Sequence, residues 1–176
     1  MEERVILVNE QDIEVGSEEK LAAHQKGLLH RAFSIFIFNS SGEMLLQKRA
    51  KTKYHSGGLW TNACCSHPRH GESIEQAAHR RLREEFGFDC VLERKFSFIY
   101  KAELDHDLTE HEFDHVLTGR YDGVVDQFNA EEIEEYRWIS LQALQEEVAQ
   151  APEHFTVWFR EALIVMYAPP RNSNSK

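Results

Sequence analysis

The sequence predicts a single α+β domain in which a mixed β-sheet is flanked by helices. The chain has 176 residues, which fits one domain with its own hydrophobic core. Segments with the pattern of strands outnumber segments with the pattern of helices. Hairpin-like pairs of strands are mixed with single helices, and this order favours a mixed-sheet sandwich over a doubly wound parallel sheet.

In the N-terminal half, four short segments are predicted as strands or extended chain, and the segment at residues 31–38 is rich in Phe and Ile. The expected strands or extended segments are residues 4–9, 31–38, 43–48 and 60–66. The turn at residues 39–42 joins the second and third of them, so a β-hairpin is predicted there. Ser17 is expected to cap a short helix that ends near His24.

In the C-terminal half, helix signals alternate with strand signals. Ser73 and Gln76 form a capping-box pattern, and Gly87 is placed to end that helix. Ser140 is expected to cap another helix, and a last helix is predicted over residues 153–167. Three further strands are predicted at residues 96–102, 113–121 and 135–139.

Composition and charge limit the possible functions. The formal charge of −10 argues against a nucleic-acid or membrane-surface role, and no apolar run approaches the ~20 residues of a membrane helix. Three cysteines give no disulfide framework, and the acidic start argues against a signal peptide. We therefore expect a cytoplasmic protein with one domain over residues 1–168 and a flexible tail over residues 169–176.

Basic residues cluster locally within this acidic chain, at residues 48–53 and 80–83. Such clusters suit a small anionic ligand, although a solvated charged face explains either cluster alone equally well. The motifs described next decide between these interpretations.

The first motif is an ordered pattern over residues 72–88, Glu-x7-Arg-Arg-Leu-x-Glu-Glu-x-Gly-Phe. Carboxylates one helical turn apart can bind a divalent cation that in turn holds a diphosphate. The pattern resembles the Nudix box, which implies a Nudix-type fold and Mg²⁺ at Glu85. It departs from the box at Ser66, where the box has glycine, and at Arg81, where hydrolytic members use a glutamate to bind metal and activate water.

The second motif is Trp-Thr-Asn-Ala-Cys-Cys-Ser-His-Pro at residues 60–68. It resembles the active-site signature of type I isopentenyl-diphosphate isomerases and makes Cys65 the catalytic thiol. In an extended strand Cys65 and His67 share one face while Cys64 points away. Cys64 and Cys90 are interpreted as small buried hydrophobic residues.

The third motif is Glu110-His111-Glu112, in which the two carboxylates project from the same face of a strand. Adjacent carboxylates repel each other and need a metal or a shared proton. The resemblance implies a metal site here with three imidazoles and two carboxylates, a set that suits Zn²⁺ or Mn²⁺. Its ligands would be His24, His30, His67, Glu110 and Glu112.

The resemblance also implies roles for aromatic and basic residues elsewhere in the chain. Tyr100 would act with Glu112 in catalysis, and the aromatic rings of Trp60 and Trp158 would contact the substrate. Residue positions that match the diphosphate-binding positions of the family are Lys20, Arg49, Lys53 and Arg81.

The implied activity is the interconversion of isopentenyl diphosphate and dimethylallyl diphosphate by protonation and deprotonation through a tertiary carbocation. The substrate would be a small diphosphate, and the sequence leaves monomer and homodimer both open. Two alternatives stay open here. One is a Nudix diphosphohydrolase, against which the cation at Arg81 argues; the other is a non-catalytic module in which the metal is structural.

Overall fold

The computed structural model describes residues 3–168, so the tail predicted at residues 169–176 lies outside the described residues. Within residues 3–168, nine strands form one mixed sheet, which confirms the predicted sheet flanked by helices. The strands are β1 (Arg4–Val8), β2 (Glu14–Glu19), β3 (His30–Phe38), β4 (Met44–Arg49), β5 (Trp60–Thr61), β6 (Cys64–Ser66), β7 (Leu92–Glu103), β8 (Thr109–Arg120) and β9 (Ile133–Ile139). The helices are α1 (Lys20–Lys26), α2 (Ile74–Phe86), α3 (Leu141–Gln150), a 3₁₀ turn (Pro152–His154) and α4 (Val157–Tyr167).

Strand β3 organises the sheet. It pairs in parallel with β8 over its whole length, and β8 pairs in turn with β7 in an antiparallel hairpin. The register sets His30 beside Glu112 and Tyr100 opposite the same glutamate. Three residues on three separate strands therefore form one row across the sheet, and this row positions the site described below.

The sheet is buried on both faces, which explains the nearly continuous apolar run of β3. Phe33, Ile35 and Ile37 of β3 belong to a core cluster that also contains the buried face of α2. Phe36 belongs to a second cluster formed with α3 and α4. Because side chains alternate along a strand, one strand contributes to both cores.

Helix α2 has the ends that the sequence predicted. The Ser73 side chain accepts a hydrogen bond from the backbone N–H of Gln76, and the Gln76 side chain accepts one from the backbone N–H of Ser73. Gly87 ends the helix at a φ of 75°, where a Cβ atom would lie 2.7 Å from the backbone oxygen of Gln127. Only glycine fits this left-handed, crowded position without strain.

Two predicted helix boundaries were wrong. Ser17 lies within β2, because residues 14–19 pair with β1, and Glu19 caps α1 instead. The last helix does not run from residue 153, since Phe155 is extended and pairs with Trp60 before Thr156 caps α4. In the first case a hairpin with the neighbouring strand β1 overrode the local helix signal, and in the second case pairing with a distant segment did so.

The predicted β3–β4 hairpin has fewer paired residues than expected. Strands β3 and β4 pair only at Phe38 and Met44, and β4 then pairs mainly with β9. Within residues 3–168, no helix combines the length and the apolar character required to cross a membrane.

Candidate active site

A cleft of about 120 Å³ opens among the loops and strands at one end of the β3–β8 pair. Its lining contains most of the residues that the sequence singled out: Lys20, Arg49, Lys53, Cys65, His67, Arg81, Glu85, Glu110, Glu112 and Trp158. His24, His30 and Tyr100 lie behind this lining and contact it. Trp60 is not part of the lining; it packs at the edge of the second core cluster, with the Arg137 guanidinium 4.4 Å from its ring centroid.

The three predicted histidine ligands and two glutamates are all buried and lie together. The Nε2 atoms of His30 and His67 are 3.2 Å apart, and His67 Nε2 is 3.0 Å from Oε1 of Glu112. His24 Nε2 lies 4.0 Å from Oε1 of Glu110. The ligand atoms of His24, His30, His67 and Glu112 all lie within 4.8 Å of one another.

Backbone carbonyl groups orient two of these rings. Nδ1 of His24 is 2.7 Å from the oxygen of Lys20, and Nδ1 of His30 is 2.8 Å from the oxygen of Leu28. A carbonyl oxygen only accepts, so each Nδ1 must donate and each Nε2 keeps its lone pair. Such outer hydrogen bonds are typical of histidines that ligate a metal.

The electrostatics of this cluster also favour a cation. Burial, together with the charge of Glu112, raises the pKa of Glu110 well above its usual range. Burial opposes ionisation of Glu112 as well, but its contacts with the His30 and His67 rings outweigh it and hold the pKa of that carboxyl low. Burial lowers the pKa of His67 to about 4, so the ring is neutral and can act as a ligand.

Three buried atoms of the cluster, Nε2 of His24, Nδ1 of His67 and Oε2 of Glu110, have no hydrogen-bond partner among the described residues. A buried polar atom without a partner costs about 1–3 kcal/mol. A divalent cation would satisfy Nε2 of His24 and Oε2 of Glu110 and balance the carboxylates, so the residues present fit the metal that the sequence implied.

The thiol of Cys65 lies in a polar network on β6. Its Sγ donates to Oδ1 of Asn62 at 3.0 Å and is 3.4 Å from Oγ of Ser34. That hydroxyl donates to Asp114 at 2.7 Å, and Asp114 is fully buried. Burial raises the pKa of the Cys65 thiol, so the proton stays on sulfur at neutral pH.

The neighbouring thiol of Cys64 points to the opposite side, as the alternation of a strand requires. It is fully buried in the first core cluster, which includes Ala63 and Leu82, and it does not line the cleft. The structure therefore confirms that the two adjacent cysteines face different environments.

Tyr100 is linked to the cleft through Glu112. Its hydroxyl donates to Oε2 of Glu112 at 2.6 Å, and burial raises the pKa of the phenol well above its usual range. One oxygen of Glu112 thus faces His67 while the other faces Tyr100. This carboxylate connects the histidine cluster to a protonated hydroxyl group.

The other end of the cleft is basic, and three of its cations are already ion-paired. Arg81 donates to Oε1 of Glu85 at 2.7 Å, and the second oxygen of Glu85 accepts from Gln47, also at 2.7 Å. The Lys53 ammonium lies 2.6 Å from Glu132. The third pair is Lys20 with Glu3 at 2.9 Å.

Arg49 differs from the other three cations. It donates to the backbone oxygen of His55 at 3.2 Å, and its guanidinium lies 5.1 Å from the centroid of the Trp158 ring. The Arg49 guanidinium and the Trp158 ring are therefore in contact at the boundary between the basic end and the histidine cluster.

Sequence reasoning missed several residues of the cleft lining, among them His55 and Glu132, and it missed Asp114, which lies behind the lining next to Ser34. Asp114 follows the alternation of Glu110 and Glu112, so the period of two residues could have found it. His55 and Glu132 lie in loops, where no periodic signal points to a site. Each reaches the cleft only through the packing of its loop.

Comparisons with known proteins agree with this geometry. The NUDIX domain family model matches residues 28–159. An isopentenyl-diphosphate Delta-isomerase 2 of Photorhabdus laumondii is 53% identical over 163 residues, covering 93% of this chain and 92% of that protein. An isopentenyl-diphosphate Delta-isomerase of Serratia proteamaculans is 54% identical over 159 residues, covering 90% and 88% respectively.

Solved structures resemble the fold as well. DR0079 from Deinococcus radiodurans superposes with a TM-score of 0.78 at 23% identity, covering 94% of this chain and 99% of that one. A MutT protein from Methanosarcina mazei Go1 gives a TM-score of 0.59 at 22% identity, covering 76% and 88%. At these identities the likeness concerns the fold alone and confirms the Nudix-type architecture. From the sequence comparisons, this chain belongs to the isopentenyl-diphosphate Delta-isomerase family of NUDIX domain proteins.

Proposed function

We propose that this protein interconverts isopentenyl diphosphate and dimethylallyl diphosphate. One observation carries the proposal: Cys65 and Glu112, two groups able to transfer protons, line the same cleft, and that cleft has a basic end. An alkene anchored by its diphosphate at the basic end would lie within reach of both groups. The relatives described above favour an isomerase over a hydrolase.

The diphosphate would bind at the basic end. Arg49, Lys53, Arg81 and Lys20 would contact its oxygens, because guanidinium and ammonium groups form charge-assisted hydrogen bonds with phosphate. Glu85 would hold Mg²⁺, which neutralises diphosphate charge when bound and takes most of its other ligands from substrate and water. The binding energy of this remote group would fix the position of the reacting carbons.

The reaction moves two protons at opposite ends of an allylic unit. One group adds a proton to the terminal methylene carbon, whose π electrons form the new C–H bond and leave a tertiary carbocation. The other group removes a proton from the carbon next to the diphosphate-bearing methylene, and that C–H pair forms the new double bond. Cys65 and the Glu112–Tyr100 pair would exchange roles as acid and base between the two directions.

The carbocation needs a site that stabilises charge and excludes water. The Trp158 ring would contribute about 0.5–2 kcal/mol through cation–π attraction. Buried walls would keep water from trapping the cation. The network of Asn62 and Ser34 around Sγ would orient the thiol towards the substrate. A substrate contact of Trp60 stays a prediction, since its ring lies outside the lining.

The histidine cluster would hold a second metal. His24, His30, His67, Glu110 and Glu112 would be its ligands, and imidazole with carboxylate suits Zn²⁺ or Mn²⁺. When bound, this cation balances the charge of the two glutamates. Glu112 would then be fixed between the metal and the Tyr100 hydroxyl, with its proton position set by those two neighbours.

Two broader properties belong to the same proposal. A small diphosphate substrate and free thiols suit a reducing compartment, so we propose a cytoplasmic location. The functional domain would span residues 1–168, which contain every proposed site residue.

Conversion of isotopically labelled isopentenyl diphosphate by the purified protein with Mg²⁺ tests the function. Dimethylallyl diphosphate hydrolyses readily in acid, whereas the starting isomer does not, so acid-labile label measures product. Cys65→Ala should abolish this product and Cys64→Ala, a matched control one residue away, should retain it. Absence of labile product from metal-replete protein, with phosphate released from nucleoside diphosphate derivatives, would favour a hydrolase instead.

A further inference from the structure

His55 lies in the loop between β4 and β5 and has no role in the function proposed above. Its side chain is nonetheless buried, with 4% of its surface exposed, and it lines the cleft. One ligand atom each of His24, His55 and Glu110 lies within 4.8 Å of the other two. The histidine cluster therefore continues beyond the residues that sequence resemblance assigned to it.

The two groups of potential ligands share His24. Its Nδ1 donates to the oxygen of Lys20, so only Nε2 has a lone pair to offer. One lone pair binds one ion. The two groups therefore surround a single ion and are not two separate metal sites. One group adds His30, His67 and Glu112 to His24, and the other adds His55 and Glu110.

Two of the three unpartnered atoms of the cluster belong to residues on the side where His55 approaches. Nε2 of His24 and Oε2 of Glu110 have no hydrogen-bond partner within residues 3–168 and are buried. Both residues belong to the group that contains His55. A cation that satisfies these two atoms would therefore have the His55 ring beside it.

The loop that carries His55 is anchored on both sides of the residue. Arg49 donates to the His55 backbone oxygen, and the backbone N–H of Ser56 donates to Asp105 at 3.2 Å. Nδ1 of His55 is 3.1 Å from Oγ of Ser56. A hydrogen bond from Nδ1 to that hydroxyl would leave Nε2 available, as the carbonyl contacts do for His24 and His30.

We propose that His55 is a further ligand of the metal held by the histidine cluster, on the side of Glu110. This inference rests on the proposed metal at that cluster. With three other imidazoles and two carboxylates it would complete a six-ligand set, which the single ion can accept after the ligand atoms contract around it.

Aromatic packing is the competing explanation of the buried ring. Its centroid lies 5.6 Å from Trp158 and 4.4 Å from Tyr54, both in edge-to-face geometry. Such contacts stabilise a ring whether or not it carries nitrogen. A phenylalanine at position 55 would keep the packing and lose the ligand, so it separates the two explanations.

The experiment measures Co²⁺ binding to the metal-free full chain by visible absorption, with Zn²⁺ affinity measured by chelator competition. The variants are His55→Phe, His55→Ala and, as control, His115→Ala. His115 is equally buried at 5% exposure but pairs with Asp12, outside both ligand groups. Circular dichroism and thermal unfolding of the metal-free forms identify any variant that fails to fold, and the other His55 variant then carries the test.

Removal of an outer partner of a metal ligand already lowers affinity roughly 10–100-fold, so both His55 variants should lose about tenfold or more. Their Co²⁺ spectra should intensify, since cobalt absorbs more strongly with fewer ligands, while His115→Ala resembles the wild type. Unchanged affinity and spectrum in the folded variants would overturn the proposal, as would a loss in His55→Ala that His55→Phe restores. A wild-type chain that binds no Co²⁺ or Zn²⁺ would overturn the metal site itself.

Discussion

The two ends of the cleft differ in whether their charged side chains form ion pairs. At the histidine end, Glu110 and Glu112 are buried beside each other, and one neighbour is the His67 imidazole, whose pKa is lowered to about 4 by burial. At the basic end, Lys53 and Arg81 are paired with Glu132 and Glu85. Within residues 3–168, no lysine or arginine forms an ion pair with either buried glutamate, whereas three of the four cations at the basic end are paired with carboxylates.

This difference determines what a ligand must displace when it binds at each end of the cleft. The buried glutamates have no lysine or arginine partner, so a cation can bind there by displacing protons and without breaking an ion pair. At the basic end a diphosphate must compete with carboxylates that the cations already contact. The first end is built on the row of strands β3, β8 and β7, with His24 added from α1, while the cations of the second end come from α1, β4, α2 and a loop. A buried cluster of potential metal ligands therefore faces a set of exchangeable ion pairs.

Glu112→Gln should have the largest effect, because it breaks the histidine end at its central residue. The amide cannot carry the transferred proton, and it lacks the negative charge that would strengthen binding of the metal. We expect initial isomerisation rates to fall by about 10²–10⁴-fold or more, the range of a lost general acid or base. Glu103→Gln, an exposed carboxylate on β7, is the control. Activity within tenfold of wild type would refute the central role of Glu112.

Removal of the metal should have the next largest effect and should act through the histidine end. A ligand at a hundred times its dissociation constant stabilises a fold by about 2.7 kcal/mol. For a domain of this size that corresponds to about 5–10 °C in the unfolding midpoint. Calorimetry with Zn²⁺ or Mn²⁺ and then with excess chelator measures the difference. Equal midpoints would show that the buried carboxylates do not need a cation.

Glu132→Gln tests the basic end of the cleft, and we expect it to change KM by a smaller factor than the changes above. Lys53 and Arg81 would lose a carboxylate that competes with the diphosphate. Partly exposed pairs contribute about 0.2–1 kcal/mol, so KM should fall by up to about fivefold. Steady-state kinetics at fixed Mg²⁺ measure this change, and the exposed neighbour Glu131→Gln is the control. A rise in KM would mean that Glu132 positions the cations rather than competing for them.

The pH dependence of stability should show the smallest effect. Burial alone would raise the pKa of Glu132, but the hydrogen bond and charge of Lys53 outweigh it and lower that pKa below 4.5. Stability from this pair is therefore fully present above pH 4.5 and is lost as the pH falls through the lower, folded-state value. Because Glu132 is partly exposed, the contribution is under about 1 kcal/mol.

Urea unfolding of wild type and Glu132→Gln at several pH values measures this contribution. The difference in free energy of unfolding should be constant from pH 7 to about pH 5 and should shrink below pH 4.5. A difference that grows as the pH falls would contradict the assigned direction.

Short-range patterns predicted several elements correctly. The capping box of Ser73 and Gln76 and the end of α2 at Gly87 depend on residues within one or two turns. The opposite faces of Cys64 and Cys65 follow from the pleat of a strand. The helix start at Ser17 was wrong because residues 14–19 form a hairpin with β1 across the short connection at residues 9–13, and this pairing outweighed the capping signal of Ser17.

The sequence by itself determined which residues can take part in catalysis or binding, and which local element carries each one. Carboxylates two apart on β8 and a thiol in an extended motif can be recognised in this way, since both depend only on neighbouring residues. Only the tertiary structure decided which of these groups meet. The row of Tyr100, Glu112 and His30 depends on the register of the β7–β8 hairpin and on the pairing of β8 with β3, which lies far away in the chain. The approach of His55 and the pairing of Glu132 depend on loop packing, which no periodic pattern encodes because it is fixed by contacts with distant elements.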